Sequence, residues 1–158
     1  MVGIDTTEVS ETAFDKALVL AKGLNAKLLV AHVLSKTDCD KPQLACSYSA
    51  TGSIMSIGKA TGEATAAESN QREWNTYLAD YEDLLAQKVQ AAEAVGVTAE
   101  PIQTHGISGA ALCYMTRRQG VDLLVVGTHR REGLSALSAG STSNYIIKHA
   151  PCPVLVVH

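Results

Sequence analysis

The last third of the chain sets the tightest limit on its fold. An apolar run, VDLLVVGTH (Val121 to His129), precedes a small-residue turn, AGSTSNYII (Ala139 to Ile147), which leads into PCPVLVV (Pro151 to Val157). Val121, Leu123, Leu124, Val125 and Val126 are almost continuously apolar and rich in β-branching, the pattern of a strand buried on both faces of a parallel sheet. Gly140, Ser141, Thr142 and Ser143 open a short helical pattern that ends near Lys148 and His149, and residues 153–157 read as a final strand.

The rest of the chain repeats this alternation. Residues 2–5 read as the end of a first strand, either short for its kind or lacking its first residues. Thr6 and Thr7 offer capping hydroxyls, and from Ser10 onward Ala13, Phe14, Ala17, Leu18, Ala21 and Leu24 recur at helical spacing. Gly23 and Asn25 supply stop signals, and residues 27–34 form a second buried strand. Residues 35–69 change character: Gly52, Gly58 and Gly62 are scattered among Ser, Thr and Ala, which predicts a flexible insertion, with Ile54, Met55 and Ile57 as a small apolar patch within it. From Asn70, the spacing of Trp74, Leu78, Tyr81, Leu85, Val89 and Ala92 predicts a long amphipathic helix closed by Gly96. Trp74 and Tyr81 sit at core spacing, which weighs against a base-stacking role. Residues 97–104 read as a third strand, placed at a sheet edge because Pro101 cannot donate to a ladder. Gly106 turns the chain, and Ser108 is expected to cap a helix carrying Ala111, Leu112 and Met115. Five strands alternating with four helices give an α/β fold, an open doubly wound sheet that is mostly parallel, in a single domain over 1–158.

Composition narrows the function classes. The formal charge is -3 with 18% charged residues and no basic block, so nothing resembles a footprint for nucleic acid or an anionic membrane. No apolar run approaches the roughly 20 residues that span a bilayer, and the expected location is cytoplasmic. Cys39, Cys46, Cys113 and Cys152 lie apart, without a CxxC pair or a His at metal spacing; the last two are expected to be packing residues, and no metal site is expected.

A doubly wound sheet places ligands at the carboxyl ends of its strands, where the first and fourth strands flank the topological switch point. Asp5 and Gly127 occupy those ends. A carboxylate there accepts hydrogen bonds from ribose hydroxyls or an adenine amino group, and a glycine lets a phosphate or ribose approach the backbone. Asp5 reads equally well as a helix cap. The turn at residues 140–143 puts a helix N-terminus nearby, with outward N–H groups and partial positive charge suited to phosphate; Ser141 alternatively only caps. His129 reads either as a phosphate partner or proton shuttle or as an exposed loop histidine. Neither GxxxxGK[ST] nor GxGxxG is present, and no catalytic set emerges, so an enzyme dedicated to phosphoryl transfer is not supported.

VVGTHRREGLSALSAGSTSNYIIKHAPCPVLVV, preceded by VGIDTTEVSETAFDKALVLAKGLNAKLLVAHVL, resembles the universal stress protein family over nearly the whole chain outside 35–69. The resemblance implies a sheet in the order 3-2-1-4-5, a homodimer joined through the last strand and, in one branch, an ATP site marked by Gly, two residues, Gly, nine residues, then Gly followed by Ser or Thr. Gly127 matches the first position and Gly140 with Ser141 the last, while Arg130 stands in place of the second glycine. A long side chain there either obstructs the phosphates or binds one bidentately. By the same resemblance Asp5 contacts ribose or adenine, Val33 meets the adenine through its backbone, Thr128 and His129 adjoin the phosphates, and Ser141, Thr142 and Ser143 hold them. Gly3 stands where some relatives have proline. The implied function is a regulatory protein that binds ATP, ADP or AMP, or else cAMP or a cyclic dinucleotide, with Mg²⁺ or Mn²⁺ accompanying phosphates, and that acts on a protein partner. The alternatives are a slow ATPase and a nucleotide-independent interaction module.

Overall fold

The computed structural model describes residues 1–35, 63–128 and 141–158, the side chains of 63–71, 73 and 141 excepted. The chain divides into two compact units, Met1–Thr37 with Leu84–His158, and Asp38–Asp83. The first unit carries a five-stranded, all-parallel sheet in the order β3-β2-β1-β4-β5. The strands are β1 (Val2–Gly3), β2 (Leu28–Leu34), β3 (Ala99–His105), β4 (Leu124–Gly127) and β5 (Val154–Val157). They alternate with α1 (Glu8–Gly23), α2 (Glu63–Ala94), α3 (Ser108–Arg118) and α4 (Ser141–His149).

Two apolar layers sandwich the sheet. Val2, Ile4, Val30 and Val125 face Ala13, Phe14 and Ala17 of α1 and Leu85 and Ala92 of α2. Ala31, Leu124 and Val126, which adjoin these in sequence, and Val33 face Leu112 and Met115 of α3 and Ile146 of α4. This alternation on consecutive residues explains why the central strands are apolar without interruption. Lys88 extends over the Phe14 ring and pairs with Glu11, joining the carboxyl half of α2 to α1.

Several local expectations change. β1 is confined to Val2–Gly3, although the Ile4 N–H continues its ladder by donating to Ala31 at 2.8 Å. Asn25, at φ 51°, takes the left-handed position after α1. α2 begins at Glu63 rather than Asn70, so residues 63–69 of the expected insertion are helical, while Cys39, Cys46 and the Ile54, Met55 and Ile57 patch lie outside the described residues. Ser108 is the first residue of α3 and does not cap it: Ile107 holds the cap position without a side-chain hydrogen bond. β4 starts at Leu124, three positions into the apolar run. Pro101 lies on β3 at the sheet edge, where its missing N–H costs no ladder bond to a further strand. Cys113 is buried and Cys152 partly so, both against the α3 layer as packing residues. Among the described residues, no helix is long and apolar enough to cross a membrane.

Candidate functional site

Asp5 follows β1 after one intervening residue, Ile4, and is exposed. Three short-range bonds fix it: its Oδ1 accepts from the Thr7 N–H at 2.9 Å and from the Thr7 hydroxyl, and its own N–H donates to Ser10 Oγ at 2.8 Å. Thr7 is the cap of α1, with its hydroxyl oxygen accepting from the Ser10 N–H at 3.3 Å. The capping role considered for Asp5 therefore belongs to Thr7, and Asp5 holds Thr7 in place. Because Oδ1 takes both bonds, Oδ2 is the oxygen through which the carboxylate can meet another group.

Gly127 ends β4, where the parallel register pairs Gly3 with Val126. Continued past the strand ends, that register sets Asp5 beside Thr128. The reason for a glycine at 127 is visible on the α1 face: a Cβ there would lie 2.8 Å from Val9 Cγ1 and 3.1 Å from the Val9 carbonyl oxygen. The first turn of α1 thus packs onto bare backbone, a demand separate from the ligand approach expected from the sequence.

Thr128, one residue on, points to the opposite face and is 4% exposed. Its N–H donates to the Val157 carbonyl at 2.9 Å, and its hydroxyl accepts from Ser143 Oγ at 3.1 Å. Ser143, 2% exposed, sits in the first turn of α4, so this pair ties the start of that helix to the end of β4. The bare backbone of Gly109 holds α4 from the other side: a Cβ there would come 2.9 Å from Tyr145 Cβ and 3.2 Å from the Thr142 carbonyl. Lys148 and His149 occupy the last turn of α4, where positive charge suits its carbonyl end.

Val33 lies on β2 beyond the Ile4 to Ala31 bond, the last that β1 makes with β2. Alternate residues of a parallel strand bond the same neighbour, so the Val33 backbone turns toward the space past the end of β1. Its side chain is buried with Leu112 and Val126, leaving only its backbone for a ligand.

The structure therefore brings Asp5, Val33, Gly127, Thr128 and Ser143 to the carboxyl edge of the three central strands, with Ser141 and Thr142 in the adjoining helical turn. Gly140, His129 and Arg130 lie outside the described residues. Sequence reasoning missed Val9, Ser10 and Gly109. The Thr7 cap on the Ser10 N–H is a local contact of the kind a hydroxyl at a helix start signals, whereas the Val9 and Gly109 contacts cross between elements and leave no local trace. A cavity of about 340 Å³ opens among Met1, Ala17, Leu20, Leu24, Leu28 and Leu123, away from this edge at the amino ends of the strands. Among the described residues no cluster of three His, Cys, Asp or Glu could hold a metal ion.

The model of the universal stress protein family matches residues 1–158. Universal stress protein Slr1101 of Synechocystis is 34% identical over 101 residues, covering 64% of this chain and 94% of its own. Universal stress protein YxiE of Bacillus subtilis is 28% identical over 157 residues, covering 99% and 96%. Among solved structures, UspA from Lactobacillus plantarum superposes with a TM-score of 0.68 at 19% identity over 99% of this chain and 95% of that one. A universal stress protein in complex with cAMP gives 0.62 at 22% over 99% and 95%, and an Arabidopsis thaliana family member with AMP bound gives 0.55 at 20% over 99% and 89%. At these identities the superpositions establish the fold alone.

Proposed function

The chain belongs to the universal stress protein family, and on that premise we propose that it is a regulatory adenine-nucleotide-binding protein, a cytoplasmic homodimer whose ligand lies across the carboxyl ends of β1, β2 and β4. One observation carries the reading: the Asp5 carboxylate, the outward backbone of Val33 and the first turn of α4 converge on that one edge. Each suits a different part of a nucleotide. Asp5 Oδ2 accepts from a ribose hydroxyl or the adenine amino group, the Val33 backbone meets the adenine edge, and the N–H groups of Ser141 and Thr142 face a phosphate at a helix N-terminus. Relatives of the same fold are described with cAMP and with AMP, and a third, from Archaeoglobus fulgidus, with dAMP.

In this reading Arg130 holds a phosphate bidentately rather than closing the site, His129 and Gly140 adjoin the phosphates, and Mg²⁺ or Mn²⁺ enters only in company with a triphosphate. Regulation requires that the nucleotide bind two conformations unequally, since tight binding alone shifts no equilibrium. The dimer forms through the outer edge of β5, and a protein partner reads the difference.

Calorimetric titration of ATP, ADP, AMP and cAMP into nucleotide-free protein tests this. The expected result is one ligand per subunit at about micromolar affinity, weakened about tenfold by Asp5→Ala through loss of one charge-assisted hydrogen bond. Heat that is unaffected by Asp5→Ala would remove the site from the β1 end.

A further inference from the structure

We propose that Thr128 and Ser143 form a positioning pair, in which the hydrogen bond between two buried hydroxyls aims the first turn of α4 and so sets how strongly the site holds a phosphate. The inference rests on the nucleotide reading above and gives these residues a role other than the direct phosphate contact that the family resemblance implies. Both residues are almost fully enclosed, at 4% and 2% exposure, and Ser143 Oγ spends its proton on Thr128 Oγ1 at 3.1 Å. Side chains so placed steer a ligand through what they hold.

What they hold is well defined. Thr128 is anchored to the sheet by the bond from its N–H to Val157, so its hydroxyl is a fixed point at the end of β4. α4 is pressed from the other side onto Gly109, where there is no room for a methyl group between Tyr145 Cβ and the Thr142 carbonyl. The start of α4 therefore has one support on the sheet and one on α3. The attraction of a helix N-terminus for an anion is confined to its first turn and depends on where the Ser141 and Thr142 N–H groups point. A displacement of about 1 Å in such a group is enough to weaken an aligned interaction severely. The adenine and ribose contacts, on β2 and β1, do not depend on this bond.

The test compares AMP with adenosine, which lacks the phosphate, in Thr128→Val, Ser143→Ala and the double variant, with Thr128→Ser as the variant that restores the hydroxyl. Thermal unfolding run alongside confirms that each protein is folded, and Ser143→Ala, a favourable change within a helix, keeps the comparison available if the buried valine does not fold. The proposal expects both single variants to lose AMP affinity by about tenfold, the worth of one good hydrogen bond, while adenosine affinity stays within about twofold. The double variant should lose little more than either single one, because the bond that joins the two residues is already broken in each, and Thr128→Ser should rescue AMP binding. An unchanged ratio of AMP to adenosine affinity in folded single variants would overturn the proposal. So would additive losses, which would mean that each hydroxyl touches the phosphate separately. Wild-type protein that binds neither compound would sink the nucleotide reading itself, and this inference with it.

Discussion

Gly127 is held to glycine by the first turn of α1, because a Cβ there would run into both the side chain and the carbonyl of Val9. Gly127→Ala should therefore destabilise the protein by about 1–3 kcal/mol through overpacking, measured by urea unfolding. Val9→Ala in the same chain should recover only part of that loss, because it removes the Cγ1 contact at 2.8 Å and leaves the carbonyl at 3.1 Å. Full recovery would show the clash to be one of side chains alone. Asp5 has one observed duty, holding Thr7, and one proposed, meeting the nucleotide, and substitution separates them. Asp5→Ala should cost about 1 kcal/mol of stability by freeing Thr7 as well as weakening the nucleotide, whereas Asp5→Asn keeps an acceptor for Thr7 and loses only the charge. The two cysteines among the described residues give a pH signature. Burial is the main cause that pushes both the Cys113 and Cys152 thiols above the ordinary value, so the folded chain retains protons that the unfolded chain gives up. Their contribution is complete below the unfolded thiol pKa of about 8.5 and is lost as the pH rises toward the folded values. Unfolding midpoints should fall on that alkaline limb, less steeply in Cys113→Ala, and a flat limb would contradict the assignment.

Among the elements, β4 and α4 do most to shape the site, and they differ in how far the sequence discloses them. Leu124 and Ile146 are fully buried against each other's layer, and Leu124→Ala should cost about 2–5 kcal/mol, with the spread set by how far the α3 and α4 layer closes the gap. The apolar run at Val121 announces β4, and the small hydroxyl residues after Gly140 announce α4, because burial on two faces and helix capping both act on neighbours in sequence. Pro101 likewise marks β3 as an edge. The start of α2 was not legible, since the stretch from Glu63 to Asn70 lacks the large apolar residues by which an amphipathic helix is recognised. The purpose of Gly127 was legible only in part. Its place at a strand end is local information, while its contact with Val9 depends on how α1 returns over the sheet. The same holds for Thr128 and Ser143, fifteen residues apart and joined only once the fold brings them together.

In the whole molecule, β5 pairs only with β4 among the described residues, leaving an apolar outer edge in which Val154, Leu155 and Val156 are half-buried. Such an edge favours pairing with a second copy about a two-fold axis, the arrangement proposed for the dimer. Pro153 and Val157 face β4 with their carbonyls, so the backbone of Val156, one position out of step, faces outward. Val156→Pro removes that outward N–H while sparing the β4 ladder, and should yield a folded monomer by sedimentation velocity; a dimer that persists would move the interface elsewhere. The central claim is that the carboxyl edge of this sheet holds an adenine nucleotide. Native mass spectrometry of gently purified protein tests it most directly. The account predicts a mass increment of one adenine nucleotide per subunit, retained from the cell or restored by adding AMP, and needing about ten times more AMP for the same occupancy in a folded Asp5→Ala variant. A folded wild-type protein that shows no increment even after nucleotide is added would contradict it.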